Sequence, residues 1–347
     1  MKLAMNYLKK NIAKLSMSEK RKLIRLFIIM LGNGFSLYDC TQLLKTSTNP
    51  FEQKISKTLE NTVIAGEGLS ASLKNLGYSQ KIVLQIEFAE THGNLLSTLQ
   101  SIDSSLTKFE KEREKIISIL TYPCLLFIFI IGILFIMRNF LLPELQQRLG
   151  YQENIGLRLI KFGPMIVLLL FAFSTILFLI IQRQLSKKTS LKKAEILSKF
   201  PFIGHFYQLQ ITSYLSREWG RFFEQGMELN EILIIMQSLD KKSLLKDLSK
   251  KLENGLQQGF SFSSQMKQIH FVLEEFGTII QQAEINFQLG SELISYGDLC
   301  AKRLLKKIET KMHLIQPIVF LFIGGMILLI YISMLLPMYQ NIGGLTQ

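Results

Sequence analysis

The chain has 347 residues, of which 48% are hydrophobic and 19% are charged, and its formal net charge is +13. This composition is too apolar for an ordinary soluble protein and too charged for a protein that lies wholly within a membrane. The positive charge would suit a nucleic-acid-binding protein, but basic residues beside a membrane already account for it, since each gains about 1 kcal/mol from anionic lipid, and we expect no direct contact with nucleic acid.

Residues 1–117 form the first of two polar blocks, and we predict that this block is helical. Leu, Ile, Lys, Glu and Gln dominate it, and no strict alternation of polar and apolar residues is sustained. Turn signals divide it into five or six short helices. They are Gly32 to Gly34, Thr48 to Pro50, Gly66 to Gly68, Gly77 and Gly93. Its first 25 residues hold eight Lys and Arg against one Glu, which predicts a helix that faces lipid or a partner.

Three apolar segments, 118–142, 162–182 and 314–338, are long enough to cross about 30 Å of hydrocarbon as helices. An outer loop, 143–161, joins the first two, and an outer tail, 339–347, follows the third. Near the inner ends of these segments lie fifteen Lys and Arg, against three in the outer loop. The positive-inside rule therefore places both polar blocks in the cytoplasm and the C-terminal tail outside.

The second polar block, together with its linker, occupies residues 183–313 and has the same helical character. Turn signals at Gly226, Gly255 and Gly259 divide it, and the segment from Pro201 to Gly204 marks its beginning. Blocks of about 110 residues are large enough to bury a core of their own. We therefore predict an all-α fold with two homologous cytoplasmic helical bundles, of about six helices each, and three transmembrane helices.

A tandem repeat relates the two blocks and the spans that follow them. Its matching pairs are Glu90 and Glu284, Pro123 and Pro317, and Pro143 and Pro337 at a spacing of 194 residues, Gly34 and Gly226 at 192, and Gly68 and Gly259 at 191. The change in spacing implies small insertions or deletions in loops. Because each pair of prolines encloses an apolar run, each repeat ends in a predicted span.

No catalytic, cofactor or metal site is predicted. The segment from Gly66 to Ala71 matches a glycine-rich dinucleotide motif, but a helical segment rather than a strand precedes it, and no P-loop motif occurs. The four histidines are scattered, and Cys40, Cys124 and Cys300 have no disulfide or zinc spacing. No Asp or Glu lies within a predicted span, which argues against a proton-coupled transporter.

The order of these motifs resembles the GspF/PilC family, the polytopic platform proteins of type II secretion and type IV pilus assembly. The resemblance extends from about residue 18 to nearly the end of the chain, and it is most similar to the Gram-positive competence branch. The residues that carry it are Gly34-x-x-Leu37 and Gly226-x-x-Leu229, Gly68-x-Ser70 and Gly259-x-Ser261, the acidic turn from Glu90 through Gly93 to Leu95, Tyr122-Pro123, Gln316-Pro317 and Pro201-x-x-Gly204.

The resemblance implies a protein that performs no chemistry itself. A hexameric cytoplasmic ATPase would dock on the helical blocks, and the platform would use its motion to extract prepilin-like pseudopilins from the membrane, serving DNA uptake in the competence case. It also implies contact with membrane lipids and a homo-oligomer. A subunit of a small membrane transporter or permease remains the alternative, which an inspection of neighbouring genes for a P-loop ATPase would decide.

The second acidic turn departs from the family pattern. Ala89 and Ala283 stand where glycine is usual, and Phe287 occupies the position that corresponds to Gly93. Because a bulky residue rarely adopts a positive φ, we expect this turn to be reshaped or helical, with Glu284 on a continuous helix face. Substitution of Glu90 should then impair assembly more than substitution of Glu284.

Overall fold

The computed structural model describes residues 15–47, 67–136, 188–201, 203–239 and 243–321, with shorter runs and single residues between 52 and 62, between 139 and 185, and between 323 and 331. In this part of the chain every regular element is a helix, which confirms the all-α prediction. The first repeat contains α1 (Met17–Gly32), α2 (Leu37–Thr46), α3 (Gly68–Asn75), α4 (Gln80–His92) and α5 (Leu95–Ile136). The second contains α6 (Ser190–Ser198), α7 (Gly204–Glu224), α8 (Leu229–Ser238), α9 (Leu244–Gln257), α10 (Phe262–Lys267), α11 (Phe276–Ile285) and α12 (Leu289–His313).

The helices of the two repeats correspond in order, with α1 to α5 matching α7, α8, α10, α11 and α12. Described residues between 52 and 62 are helical and occupy the place of α9. The turns correspond as well: α1 is followed by Gly34 at φ +84° and α7 by Gly226 at φ +81°. The N–H of Phe35 donates to the carbonyl of Met30 at 3.1 Å, and the N–H of Met227 donates to the carbonyl of Phe222 at 3.2 Å. Each bond closes a helix end that requires a left-handed residue, which explains the two glycines.

A core of aliphatic and aromatic side chains holds the first repeat together. On α1, Leu23, Ile24 and Phe27 are fully buried, and their spacing is that of one helix face. Members from the other helices include Leu44, Leu69, Leu73, Ile86 and Leu99. Burying each of these side chains contributes about 2 kcal/mol to folding, so the first repeat has a core of its own.

In the second repeat, α7 and α12 pack with their backbones close together. A Cβ atom on Gly220 of α7 would lie 2.8 Å from the carbonyl oxygen of Gly290 on α12. Farther along α12, the hydroxyl of Ser213 donates to the carbonyl of Gly297 at 2.7 Å. Only small residues permit so close an approach, and the fully buried Trp219 on α7 packs elsewhere, on the ring of Phe262.

The two repeats pack against each other. Described residues of Met1–Glu112 and of Ser190–Ala301 form one compact unit. Charged side chains on facing helices pair across the two repeats rather than pointing to solvent. The division into two bundles of about six helices each stays a prediction.

Described residues of Arg113–Thr189 and Lys302–Gln347 form a second unit. Among the described helices, α5 alone is long and apolar enough to cross a membrane, and it continues through Pro123 without interruption. Ile130 of α5 packs with Val319 in a small apolar cluster. The helix resumes after a turn at Leu314, so Pro317 lies in a first turn, where a missing N–H costs little.

The remaining predicted membrane features fall mainly outside the described residues. Of span 162–182, only single residues and short runs are described, and all of them are helical. Pro143 is helical and exposed. Pro337, most of the outer loop, the tail 339–347 and the first fourteen residues lie outside the described part of the chain.

Basic residues of α1 make contacts within the first repeat. Arg25 binds the carboxylate of Asp103 at 3.1 Å, and Arg21 pairs with Glu110. The ammonium group of Lys20 donates to the carbonyl of Gly77 at 2.5 Å. Acidic and carbonyl groups of the same repeat therefore bind these three side chains, and the orientation of this helix towards lipid or a partner stays a prediction.

Candidate interaction site

The first acidic turn joins two of the motif residues that the sequence singles out. The carboxylate of Glu90, on α4, accepts the backbone N–H of Leu69 at 2.5 Å and that of Ser70 at 3.4 Å. It thereby caps the N-terminus of α3, where unpaired N–H groups favour a negative charge. Gly68 adopts φ +76°, and a Cβ atom there would lie 2.8 Å from the Glu90 carboxylate. The glycine thus provides both the backbone conformation and the space for the glutamate.

The corresponding contact does not form in the second repeat. Helix α10 is capped by the hydroxyl of Ser261, which accepts the N–H of Ser264 at 3.2 Å. A Cβ atom on Gly259 would meet no atom within 4 Å. Among the described residues, the half-buried side chain of Glu284 makes no hydrogen bond or ion pair. The two glutamates are therefore equivalent in sequence but not in contacts.

The expectation that Phe287 reshapes the second acidic turn is wrong. Helix α11 ends at Ile285, and Phe287 adopts φ +56°, the one positive φ at a non-glycine residue in the described chain. The N–H of Gln288 donates to the carbonyl of Ala283 at 3.2 Å, just as that of Asn94 donates to Ala89 at 3.0 Å. The turn keeps its shape at a cost of about 1–2 kcal/mol. Glu284 consequently lies in the last turn of a helix that ends, not on a continuous helix.

A cleft of about 450 Å³ brings the first acidic turn next to the α7–α8 turn of the second repeat. Gly93 and Gly226, motif residues of different repeats, both line it. Its walls carry the ring of His92, which stacks on Phe88 at 3.9 Å, and the amide of Gln225, whose oxygen and nitrogen are buried without a hydrogen bond among the described residues. The cleft offers polar and acidic groups for binding.

A buried ion-pair cluster links α4 of the first repeat to α7 of the second. The carboxylate of Glu218 is 4% exposed and accepts the ammonium of Lys81 at 2.6 Å and the guanidinium of Arg221 at 2.9 Å. Burial by itself opposes ionisation of Glu218, but the two cations outweigh it, so the pKa of this carboxyl lies below its ordinary value. The cluster joins the repeats with charges that water barely screens.

A second cluster links α5 of the first repeat to α7 and α12 of the second. Arg217 binds Glu112 through both terminal nitrogens, the closer at 2.6 Å, and binds Asp298 at 2.8 Å through Nε. Asp298 also accepts the ammonium of Lys108 at 2.7 Å. Burial alone would lower the pKa of Arg217, yet the two carboxylates raise it. One guanidinium therefore holds three helices together.

Sequence reasoning missed both clusters, although the repeat contains a signal for one of them. Arg25 and Arg217 occupy equivalent positions, 192 residues apart, in the register of Gly34 and Gly226. Each binds an aspartate on the last helix of its own repeat. A recurring arginine is therefore a sign of a structural ion pair. Among the described residues, no group of His, Cys, Asp and Glu is arranged to hold a metal ion.

Comparison with known proteins identifies the repeat. The family model described as "Type II secretion system (T2SS), protein F" matches residues 23–143 and again residues 215–337. The starts of the two matches are 192 residues apart and their ends 194 apart, the spacings found within the sequence.

Three relatives match almost the whole chain at low identity. The ComG operon protein 2 homolog of Halalkalibacterium halodurans is 23% identical, over 91% of this chain and 100% of its own length. ComG operon protein 2 of Bacillus subtilis is 22% identical, over 90% and 98%. The type IV pilus assembly protein PilC of Thermus thermophilus is 23% identical, over 91% and 81%.

Proposed function

The chain belongs to the type II secretion system protein F family, and we propose that it is the membrane platform of a type II secretion or type IV pilus-like machine. The observation that carries the proposal is the double match to the family model, at 23–143 and 215–337, on a chain that spans at least 98% of two ComG operon relatives. Those relatives favour a competence pseudopilus that serves DNA uptake. The platform itself performs no catalysis in this proposal.

A cytoplasmic hexameric ATPase is the proposed partner of the unit that the two repeats form. A platform that passes on mechanical work must move as one body, because slippage between its parts would dissipate the motion. The buried clusters around Glu218 and Arg217 support this role, since breaking a buried ion pair costs about 3–5 kcal/mol. Work received by one repeat would therefore reach the other.

The proposed topology has three membrane spans, 118–142, 162–182 and 314–338, with both repeats in the cytoplasm and the C-terminal tail outside. The spans would contact the apolar helices of prepilin-like pseudopilins and the surrounding lipid, and several copies of the chain would form the complete platform. The apolar half of α5 and its cluster with Val319 are consistent with packing between the first and third spans. The acidic and glycine motif residues would shape the surface that the ATPase meets.

Deletion of the gene, followed by complementation, tests this function. The deletion strain should assemble no pseudopilus and take up no DNA, and the intact gene should restore both. Purified full-length protein should bind the secretion or pilus-assembly ATPase of the same organism without hydrolysing ATP. Normal pseudopilus assembly in the deletion strain would contradict the proposal.

A further inference from the structure

Helix α1 runs antiparallel to α5, and this directs its start toward the membrane. Arg21 pairs with Glu110, and Arg25, one turn later, binds Asp103, which lies earlier on α5, at 3.1 Å. Residues that precede Arg21 therefore lie toward the part of α5 that follows Glu110. That part of α5 continues without interruption into the predicted first span. The chain before α1 thus joins the fold at the end of α5 that enters the membrane in the proposed topology.

Distances along the two helices put this junction near the predicted inner surface of the bilayer. At about 1.5 Å per residue, Ser118, where the predicted span begins, lies about 12 Å beyond Glu110, and Leu15 lies about 9 Å before Arg21. The two distances are similar, so Leu15 reaches nearly the level at which α5 enters lipid.

The sequence of residues 1–14 has an apolar stripe and a strong positive charge. Its apolar stripe follows steps of four, three and four residues, the spacing of one helix face, and consists of Met1, Met5, Leu8 and Ile12. All charged side chains of the segment are basic and lie outside this stripe; they are Lys2, Lys9, Lys10 and Lys14. A helix with an apolar stripe and a lysine-rich polar face is suited to the boundary between lipid headgroups and acyl chains.

Described residues near the same level are also basic. Helices α5 and α12 run side by side, since Lys108 binds Asp298 at 2.7 Å and Ile130 packs with Val319. The last turns of α12 therefore lie beside the part of α5 that approaches the first span. Four lysines in these turns are exposed, and their ammonium groups make no hydrogen bond or ion pair with the described residues; they are Lys302, Lys306, Lys307 and Lys311. Because this surface repels a basic segment, an anionic membrane is the partner that suits both.

An acidic cleft beside Gly93 is an alternative site for the segment, but it fits poorly. The cleft has polar walls and carries Glu228 and Glu231, so it would leave the apolar stripe against polar groups. It also lies at the far end of α4. Lys20 of α1 binds the carbonyl of Gly77, just before α4 begins, whereas the cleft follows the end of α4, about 20 Å farther on.

We propose that residues 1–14 form an amphipathic helix that lies on the inner surface of the membrane and binds anionic phospholipid. The apolar stripe enters the lipid below the headgroups, and the lysines contact the lipid phosphates. The segment thereby anchors the first repeat to the membrane at a point separate from the spans. This inference goes beyond the proposed function and rests on it only for the position of the first span.

The test uses the full-length protein in nanodiscs of brominated phospholipid, because bromine on the acyl chains quenches nearby tryptophan. Leu8→Trp places a tryptophan in the apolar stripe, while Trp219 is fully buried and gives the background signal of the unsubstituted protein. The new tryptophan should be quenched in nanodiscs that contain phosphatidylglycerol and much less in nanodiscs of phosphatidylcholine alone. Asn6→Trp, outside the stripe, is the matched control and should be quenched less.

Charge is tested in the Leu8→Trp protein with two pairs of adjacent lysines. Replacing Lys9 and Lys10 with glutamine should lower the ratio of bound to free segment about 25-fold, a factor of about five for each lysine. The same replacement of Lys250 and Lys251, an exposed pair on α9, removes as much charge and should leave the quenching unchanged.

Quenching that is absent from anionic nanodiscs, or equal with and without anionic lipid, overturns the proposal. Equal quenching at positions 6 and 8 also overturns it, as does a cross-link from a photoreactive residue at position 8 to the cleft beside Gly93 or to another protein. Absence of quenching in a protein that still supports pseudopilus assembly overturns the anchor and leaves the proposed function intact. Normal assembly in the deletion strain overturns the proposed function and not the anchor.

Discussion

Glu218 shows how one buried charge can join two repeats. One carboxylate oxygen accepts both Lys81 and Arg221, while the other oxygen is buried without a hydrogen bond among the described residues. Arg221 lies one turn along the same helix, whereas Lys81 comes from the first repeat, so the contact with Lys81 forms only when the repeats are packed together. Removing Glu218 leaves Lys81 and Arg221, which are 23% and 15% exposed, without their counter-charge, and this is more costly than the pair is favourable.

Glu218→Gln should destabilise the protein by about 3 kcal/mol at neutral pH. The pKa of Glu218 is lower in the folded protein than its ordinary value of 4.5, so its contribution is complete above 4.5 and is lost as the pH falls through the folded value. The variant should therefore lose less stability than the unsubstituted protein when the pH is lowered below 4.5. Thermal unfolding in detergent as a function of pH measures both effects.

The control for this experiment is Glu87→Gln, which removes an exposed carboxylate from α4. Its melting temperature should stay close to that of the unsubstituted protein at every pH. If the melting temperatures of the Glu218 and Glu87 variants depended on pH in the same way, the buried cluster would contribute no more to stability than an exposed carboxylate does.

Glu90→Ala should reduce pseudopilus assembly more than Glu284→Ala at equal amounts of protein in the membrane. The physical reason is the α3 cap, because Glu90 satisfies two backbone N–H groups, whereas Glu284 makes no equivalent contact with the part of the chain that the structure describes. Loss of a helix cap costs about 1 kcal/mol, which would loosen α3 and the turn at Gly68. Counting assembled pseudopili on cells of the two strains measures the difference.

The opposite order, with the greater loss in the Glu284 strain, would show that Glu284 has a role that outweighs the α3 cap. Glu284→Gln keeps the size of the side chain but removes its charge, so a loss as large as that of Glu284→Ala would assign this role to the charge. Equal assembly in the Glu90 and Glu284 strains would show that the cap has no functional weight.

At the scale of elements, the packing of α7 against α12 depends on glycines. Gly220 and Gly290 bring the two backbones together, and the hydrogen bond between Ser213 and Gly297 fixes their relative position. Close packing leaves no space for an added methyl group on Gly220, because two of the three nearest atoms, the carbonyl oxygen of Gly290 and the nitrogen of Ile294, belong to the backbone and cannot rotate away. This pair of helices therefore acts as a rigid element within the unit that the repeats form.

Gly220→Ala should destabilise the protein by about 1–3 kcal/mol, the usual cost of overpacking, although alanine favours a helix more than glycine does. The matched control is Gly32→Ala at the end of α1, where a Cβ atom would meet nothing within 4 Å. That variant should be neutral or slightly stabilised. Melting temperatures of the two purified variants compare them directly, and a Gly220 variant as stable as the control would refute the close packing.

The helices and their turns follow from the sequence because local chemistry determines them. Glycines at positions 34, 68, 93, 226 and 259 lie where the structure has a left-handed residue. The same reasoning fails at Phe287, since hydrogen bonds across the turn hold a conformation that the side chain disfavours. Preference for a backbone region is worth about 1–2 kcal/mol, which such bonds can offset.

Contacts between repeats were beyond the reach of local patterns. Helical periodicity identifies a polar face on α7, but a polar face is expected in solvent as readily as in an interface. Glu218 and its partner Lys81 are 137 residues apart, and no spacing rule connects residues so distant. The repeat helps to predict an ion pair only where both copies have the same residue at equivalent positions, as with Arg25 and Arg217.

For the whole molecule, the compact unit of the two repeats is discontinuous in sequence. Its described residues come from Met1–Glu112 and Ser190–Ala301, and the residues between them belong to the second unit. In the proposed topology, the intervening residues cross the membrane twice. The chain must then leave the cytoplasm and return before the second repeat can join the first.

Reporter fusions test that topology. A reporter that is active only outside the membrane should be active when fused after Gln347 and silent when fused at Gln182, because the basic residues hold the two repeats in the cytoplasm. A reporter that is active only in the cytoplasm should give the reverse pattern and serves as the control. Activity outside the membrane at Gln182, with silence at Gln347, would exclude the three-span arrangement.

The 137 residues between Lys81 and Glu218 also set a delay during synthesis. At ribosomal rates of about 5–20 residues per second, the first repeat leaves the ribosome on the order of ten seconds before its partner glutamate. In the proposed topology, two spans enter the membrane during that interval. A newly made first repeat therefore exposes the unpaired ammonium of Lys81 until the second repeat has been made. A chain whose first two spans have failed to insert would then be distinguishable, to a chaperone or a protease, from one whose repeats have packed together.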